Sequence, residues 1–110
     1  MDFSTWQSAQ ADDFMYTYSS YGVADGICQC FLLIKLINQV TNITVSFDSP
    51  EIKINGKNNT LNIPNPDTTK LLVYELTSQQ AVRSQFTIDI GDMSVGPTTN
   101  TIVFVDPLTL

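Results

Sequence analysis

The chain has 110 residues, enough for one domain, with 5 Lys+Arg against 11 Asp+Glu, a formal charge of −6 and no histidine. The missing histidine excludes Ser-His-Asp and Cys-His nucleophile systems, imidazole acid–base catalysis and the common His-containing zinc sites. The cations Lys35, Lys53, Lys57, Lys70 and Arg83 are scattered singly with acids nearby, so no nucleic-acid partner is expected, because a phosphate backbone needs several basic groups together.

At 43% hydrophobic residues the chain can fill a core. Only 15% of its residues are charged, whereas Ser, Thr, Asn and Gln together number 37. A typical soluble domain carries roughly 25% charge, so this surface is neutral and hydrogen-bonding, suited to lateral packing against other protein.

The first residues contain neither a basic stretch nor an early apolar run, so the start does not read as a signal peptide and synthesis in the cytoplasm is expected. Two periodicities compete in residues 1–21. Phe3, Trp6, Gln10, Phe14 and Tyr18 follow a helical stripe, while Phe14, Tyr16 and Tyr18 alternate like a strand. With Phe3, Trp6, Phe14, Tyr16, Tyr18 and Tyr21 concentrated here, a single sandwich has little room for every ring. The expectation is therefore an N-terminal docking arm or short helix over residues 1–21, its six aromatics being the partner-binding residues, followed by one β-sandwich domain over residues 22–110.

Between Ile27 and Val40, a strand places Cys28, Cys30, Leu32, Ile34 and Leu36 on one apolar face. A helix capped by Asp25 is the alternative, but it would be apolar nearly all round. With Gln29 and Lys35 inside it, this run is too short and too polar to span a membrane. Cys28 and Cys30, one residue apart within the apolar run, read as reduced thiols rather than a disulfide scaffold.

Downstream the signal is β throughout. Ile43, Val45 and Phe47 alternate with Thr44 and Ser46 until Asp48-Ser49-Pro50 breaks the run. Asn55-Gly56 is the favoured dipeptide of a two-residue hairpin, which pairs Ile54 with Lys57 and puts Ile52, Ile54, Leu61 and Ile63 on one buried face. Pro64-Asn65-Pro66-Asp67 reads as a loop. Lys70–Leu76 is apolar on both faces, as a strand that is central or meets a partner would be. Val82, Phe86, Ile88 and Ile90 mark a one-sided strand, and Thr101–Val105 the last. Six short strands with turns at this spacing predict an all-β fold: an antiparallel β-sandwich, jelly-roll or Ig-like, or a small barrel.

No constellation carries chemistry. Asp89 and Asp92 flank Gly91 without the spacing of a calcium loop, and Asp12-Asp13 reads as a solvated pair. The glycines form no dinucleotide or phosphate motif, and the sequons at Asn42 and Asn58 are of the kind that arise by chance in Asn- and Thr-rich chains. No catalytic residue, metal or cofactor is expected. The function expected is that of a non-enzymatic structural subunit of a large assembly: a small virion protein of the capsid, cement, spike-base or tail kind, oligomeric and acting through contacts with other protein subunits, the same or different. The alternative is a carbohydrate- or protein-binding module of the same fold.

Overall fold

A computed structural model describes residues 6–91 and 98–109. Alternating burial, rather than helical periodicity, runs through the chain and yields ten strands among these residues: β1 (Trp6–Gln10), β2 (Phe14–Ser19), β3 (Tyr21–Val23), β4 (Cys30–Leu36), β5 (Asn42–Phe47), β6 (Ile52–Ile54), β7 (Thr60–Pro64), β8 (Leu71–Ser78), β9 (Val82–Asp89) and β10 (Thr98–Val105). They form two five-stranded sheets, β1-β2-β4-β8-β6 and β3-β10-β9-β5-β7. All pairings are antiparallel except β3 on β10, which is parallel. The result is a β-sandwich-like all-β fold.

The competition within residues 27–40 resolves as a strand, with Cys30, Leu32, Ile34 and Leu36 of β4 all facing inward. From the opposite sheet Ile43, Val45, Phe47, Phe86, Ile88, Ile102 and Phe104 meet this layer in one continuous core. The Tyr18 and Phe86 rings make the contact across the two sheets, edge to face with centroids 4.9 Å apart. Each large side chain buried in this way contributes about 1.5–3 kcal/mol.

The expected arm or helix gives way here. Residues 6–19 are strands, and β2 is an interior strand of the first sheet, between β1 and β4. The domain boundary drawn at residue 22 therefore cuts through the sandwich, since β1, β2 and β3 all belong to its sheets. At Ser20 the chain leaves one sheet for the other, its carbonyl accepting the Val103 N–H at 2.9 Å as β3 starts beside β10. Gly22 makes this crossing possible, because a Cβ there would lie 2.3 Å from the Cys30 Sγ and 3.0 Å from the Phe104 ring.

The Asn55-Gly56 turn forms, with positive φ at both residues (53° and 73°) and Lys57 N–H donating to the Ile54 carbonyl at 3.0 Å. The expected hairpin ladder does not follow it. Ile54 N–H bonds to the Asn58 carbonyl rather than to Lys57, and the chain then crosses between sheets. β6 pairs with β8 in the first sheet and β7 with β5 in the second. Ile52 and Ile54 are fully buried, while Leu61 and Ile63 pack against the core only partly buried. Asn55 ties the corner to its sheet: its N–H donates to the Glu75 carbonyl and its Oδ1 accepts the Glu75 N–H, both at 2.8 Å.

Two substitutions test these close fits. Gly56 has open space around it, so Gly56→Val should act through backbone strain alone and cost about 1–2 kcal/mol in urea unfolding. Gly22→Ala should cost about 1–3 kcal/mol by overpacking, and Cys30→Ala in the same chain should restore part of it; equal losses in the single and double variants would contradict the close approach.

Candidate functional site

The six aromatics expected to bind a partner separate into three groups. Phe3 lies outside the described residues. Phe14, Tyr16 and Tyr18 are buried in the chain's own core, the reverse of a docking role, because strand alternation turns all three towards the second sheet. Their rings run in a column, Phe14 to Tyr16 at 5.8 Å and Tyr16 to Tyr18 at 6.2 Å, and the Tyr16 hydroxyl donates to Asn100 Oδ1 at 2.8 Å. Burial and the neighbouring Tyr16 push the Tyr18 hydroxyl above its ordinary pKa, partly offset by a hydrogen bond to the Thr101 backbone. Trp6 and Tyr21 remain exposed, at 41% and 46%, on β1 and β3, edge strands of different sheets.

Most of the described aspartates organise turns and loops. Asp25 accepts the Ile27 N–H, Asp67 the Thr69 N–H and hydroxyl, Asp89 the Gly91 N–H, and Asp106 the Leu108 N–H. The Thr69 bonds hold Asp67 below the usual carboxylate pKa. Asp48 accepts the buried Ser84 hydroxyl at 2.7 Å and the Gln85 N–H at 3.1 Å, latching the end of β5 onto β9. Asp92, paired with Asp89 in the sequence reading, lies outside the described residues. Among the described residues no three His, Cys, Asp or Glu side chains gather as metal ligands would, and no helix is long and apolar enough to cross a membrane.

Both cysteines are free. Cys30 is fully buried, and burial together with the neighbouring Cys28 pushes its thiol up to about 11. Cys28 is partly exposed. A thiol-specific reagent at pH 8 should therefore modify Cys28 in the native protein and Cys30 only after unfolding, as mass spectrometry of the peptides would show; rapid native labelling of Cys30 would contradict its burial.

The feature that stands out is the outer face of the first sheet. Strand register lines up Gln10, Met15, Lys35 and Leu71 in one row, and Ser8, Thr17, Leu33 and Val73 in the next. Met15, Leu71 and Val73 are large apolar side chains left 42–53% exposed. Lys35 is the only charged residue in these rows, and its Nζ donates to the Thr68 carbonyl. A groove of about 600 Å³ runs over this face, lined by Ser8, Gln10, Met15, Thr17, Leu33, Lys35 and Leu71, with Ala9 and Tyr16 at its wall. Of these residues only Tyr16 is among the expected partner-binding residues, although those on β1 and β2 fall within the expected docking arm. The doubly apolar run Leu71-Leu72-Val73-Tyr74 is the other signal: β8 is an interior strand, and Leu71 and Val73 face outward from it.

Comparison with protein-family models, curated proteins and solved structures gives no significant match.

Proposed function

We propose that the chain is a non-enzymatic structural subunit that works through protein–protein contact, with the outer face of the β1-β2-β4-β8-β6 sheet as its docking surface. The observation that carries this reading is the pair of registered rows in which Met15, Leu33, Leu71 and Val73 form an apolar face relieved by one cation. Contiguous exposed apolar surface of this kind marks contact sites in soluble proteins. The neutral, hydrogen-bonding composition of the remainder suits the polar rim of such a contact. A place in a large assembly, of the capsid, cement, spike-base or tail kind in a virus particle, is consistent with this surface. So is a non-catalytic role, since the aspartates described above are engaged in turns and loops.

We further infer that the sandwich is immunoglobulin-like in the order of its strands within each sheet. The order β2-β4-β8-β6 follows the four-strand A-B-E-D sheet of that fold. The order β10-β9-β5 follows G-F-C, with β7 added beside β5; β7 comes after β6 in the chain, whereas the strand added there in variable-type domains precedes D, so the likeness lies in sheet order and not in that connection. β1 and β3 then stand outside the scheme, each at an edge of its sheet. Both cysteines are free, so the sheets are joined by packing of the Tyr18–Phe86 kind in place of an inter-sheet disulfide. Fold type does not fix function, so the contact reading rests on the surface itself. A carbohydrate platform is less well supported, because Tyr16, Tyr18 and Tyr74 are buried and Trp6 and Tyr21 belong to different sheets.

A photo-crosslinking amino acid at Val73, introduced into the chain in its native setting, should form adducts with a neighbouring protein subunit. The same group at Lys57, in the exposed turn, should form few. Equal adduct yields at both positions, or none at Val73, would remove the outer face as the docking surface.

A further inference from the structure

Of the four sheet edges among the described residues, three carry the devices that keep strand edges from pairing with other chains. β6 has three residues with Lys53 at its centre, β3 has three residues, and β7 ends in Pro64. β1 carries none of them. Its sequence Trp6-Gln7-Ser8-Ala9-Gln10 has no charge, proline or glycine, and all five residues are exposed.

The ladder decides which backbone groups face outward. Ala11 N–H donates to the Phe14 carbonyl at 2.8 Å, so in the same register Ala9 with Tyr16 and Gln7 with Tyr18 are the hydrogen-bonded pairs. Trp6, Ser8 and Gln10 sit in the alternate, closely spaced pairs, in keeping with the 2.8 Å Ser8–Thr17 hydroxyl contact. Their N–H and C=O groups therefore point away from β2, towards the open edge.

We propose that β1 is a strand-addition site for a second copy of this chain, the two β1 strands pairing antiparallel about a two-fold axis at Ser8. This rests on the protein-contact reading above and deepens it by naming a partner. The occupant follows from self-complementarity. In the register that overlaps all five residues, Ser8 meets Ser8 of the second copy and Trp6 meets Gln10, so every outward-facing group finds an outward-facing partner. Trp6, Ser8 and Gln10 share the outer face. Trp6 of one copy is thereby delivered beside Gln10 of the other, at the mouth of the groove lined by Ser8, Gln10, Met15, Leu33 and Leu71. The symmetry supplies two rings and two grooves. On a chain of charge −6 the paired stretch is uncharged, and the nearest acids, Asp12 and Asp13, lie beyond it in the β1–β2 turn.

The test is sedimentation of the full chain across a concentration series. The wild-type chain should pass from one to two copies as concentration rises, with a blue shift in the emission of Trp6, the only tryptophan. Ser8→Pro removes an outward N–H while sparing the β1–β2 hydrogen bonds, and should weaken dimerisation about tenfold or more with an unchanged far-UV CD spectrum. Ser8→Lys sets two like charges opposite each other on the axis. It should weaken dimerisation in a way that added salt relieves, which a folding defect would not reproduce. A wild-type chain that stays single at every concentration, or variants that dimerise as it does, would overturn the proposal. Unshifted Trp6 emission in a dimer would overturn it too, by removing this register. Adducts at Val73 with a different protein, alongside a monomeric wild type, would defeat this inference and leave the contact reading standing.

Discussion

Two sheets whose ladders are separate must be held together by side chains, and here the contact runs through an aromatic column. Phe14, Tyr16 and Tyr18 turn inward from β2, and Tyr18 meets Phe86 edge to face across the interior. Aromatic pairs in this geometry contribute about 0.5–1.5 kcal/mol beyond the area they bury. The column also fixes the outer surface. Because strand side chains alternate, committing Tyr16 and Tyr18 to the core commits Met15 and Thr17 to the opposite face. In the same way Tyr74 and Leu76 commit Val73 and Glu75. The core therefore determines which residues can form a docking face.

From residue 27 onward the strands were legible in the sequence, while their partners, and the strands before them, were not. Ile43, Val45 and Phe47 of β5 and Cys30 to Leu36 of β4 have the burial their alternation implies. The turn at Asn55-Gly56 was legible too, since positive φ at consecutive residues is a local property. What followed it was not. Leu61 and Ile63 face the core whether β7 pairs with β6 or crosses to the other sheet beside β5, so the apolar pattern is the same for both topologies. Ser84 shows a different limit: an inward polar position interrupts the apolar run of β9, and its reason, the hydrogen bond to Asp48, comes from a distant loop.

The error about the N-terminal aromatics has a countable cause. Six strands from residue 42 onward and one within residues 27–40 leave too little interior for so many rings, but residues 6–23 add β1, β2 and β3. β2 and β3 supply opposite sheets from one nearly continuous stretch, switching at Ser20, and the extra interior takes in Phe14, Tyr16 and Tyr18. Gly22 is the residue at which this economy of chain is possible, because only a side chain of one hydrogen fits between β3 and the Cys30 sulfur. The short spacing between Tyr18 and Tyr21 is the spacing of a sheet-switching corner.

A low density of charge ties the edge and the face together. Lysines and inward-turned charges are the usual means of protecting edge strands and sheet faces from other chains. With 5 Lys+Arg in 110 residues this chain has few to place. Lys53 lies at the centre of β6 and Lys35 within the outer face of β4, while β1 has no cation at all. The least protected edge is thus continuous with the most apolar face, and a strand added along β1 would extend the same sheet that carries Met15, Leu71 and Val73. In a chain meant to stay alone this combination is a liability for aggregation. In an assembling subunit it joins directional backbone hydrogen bonds to apolar area on one sheet, so that one contact can set both the register and the strength of association.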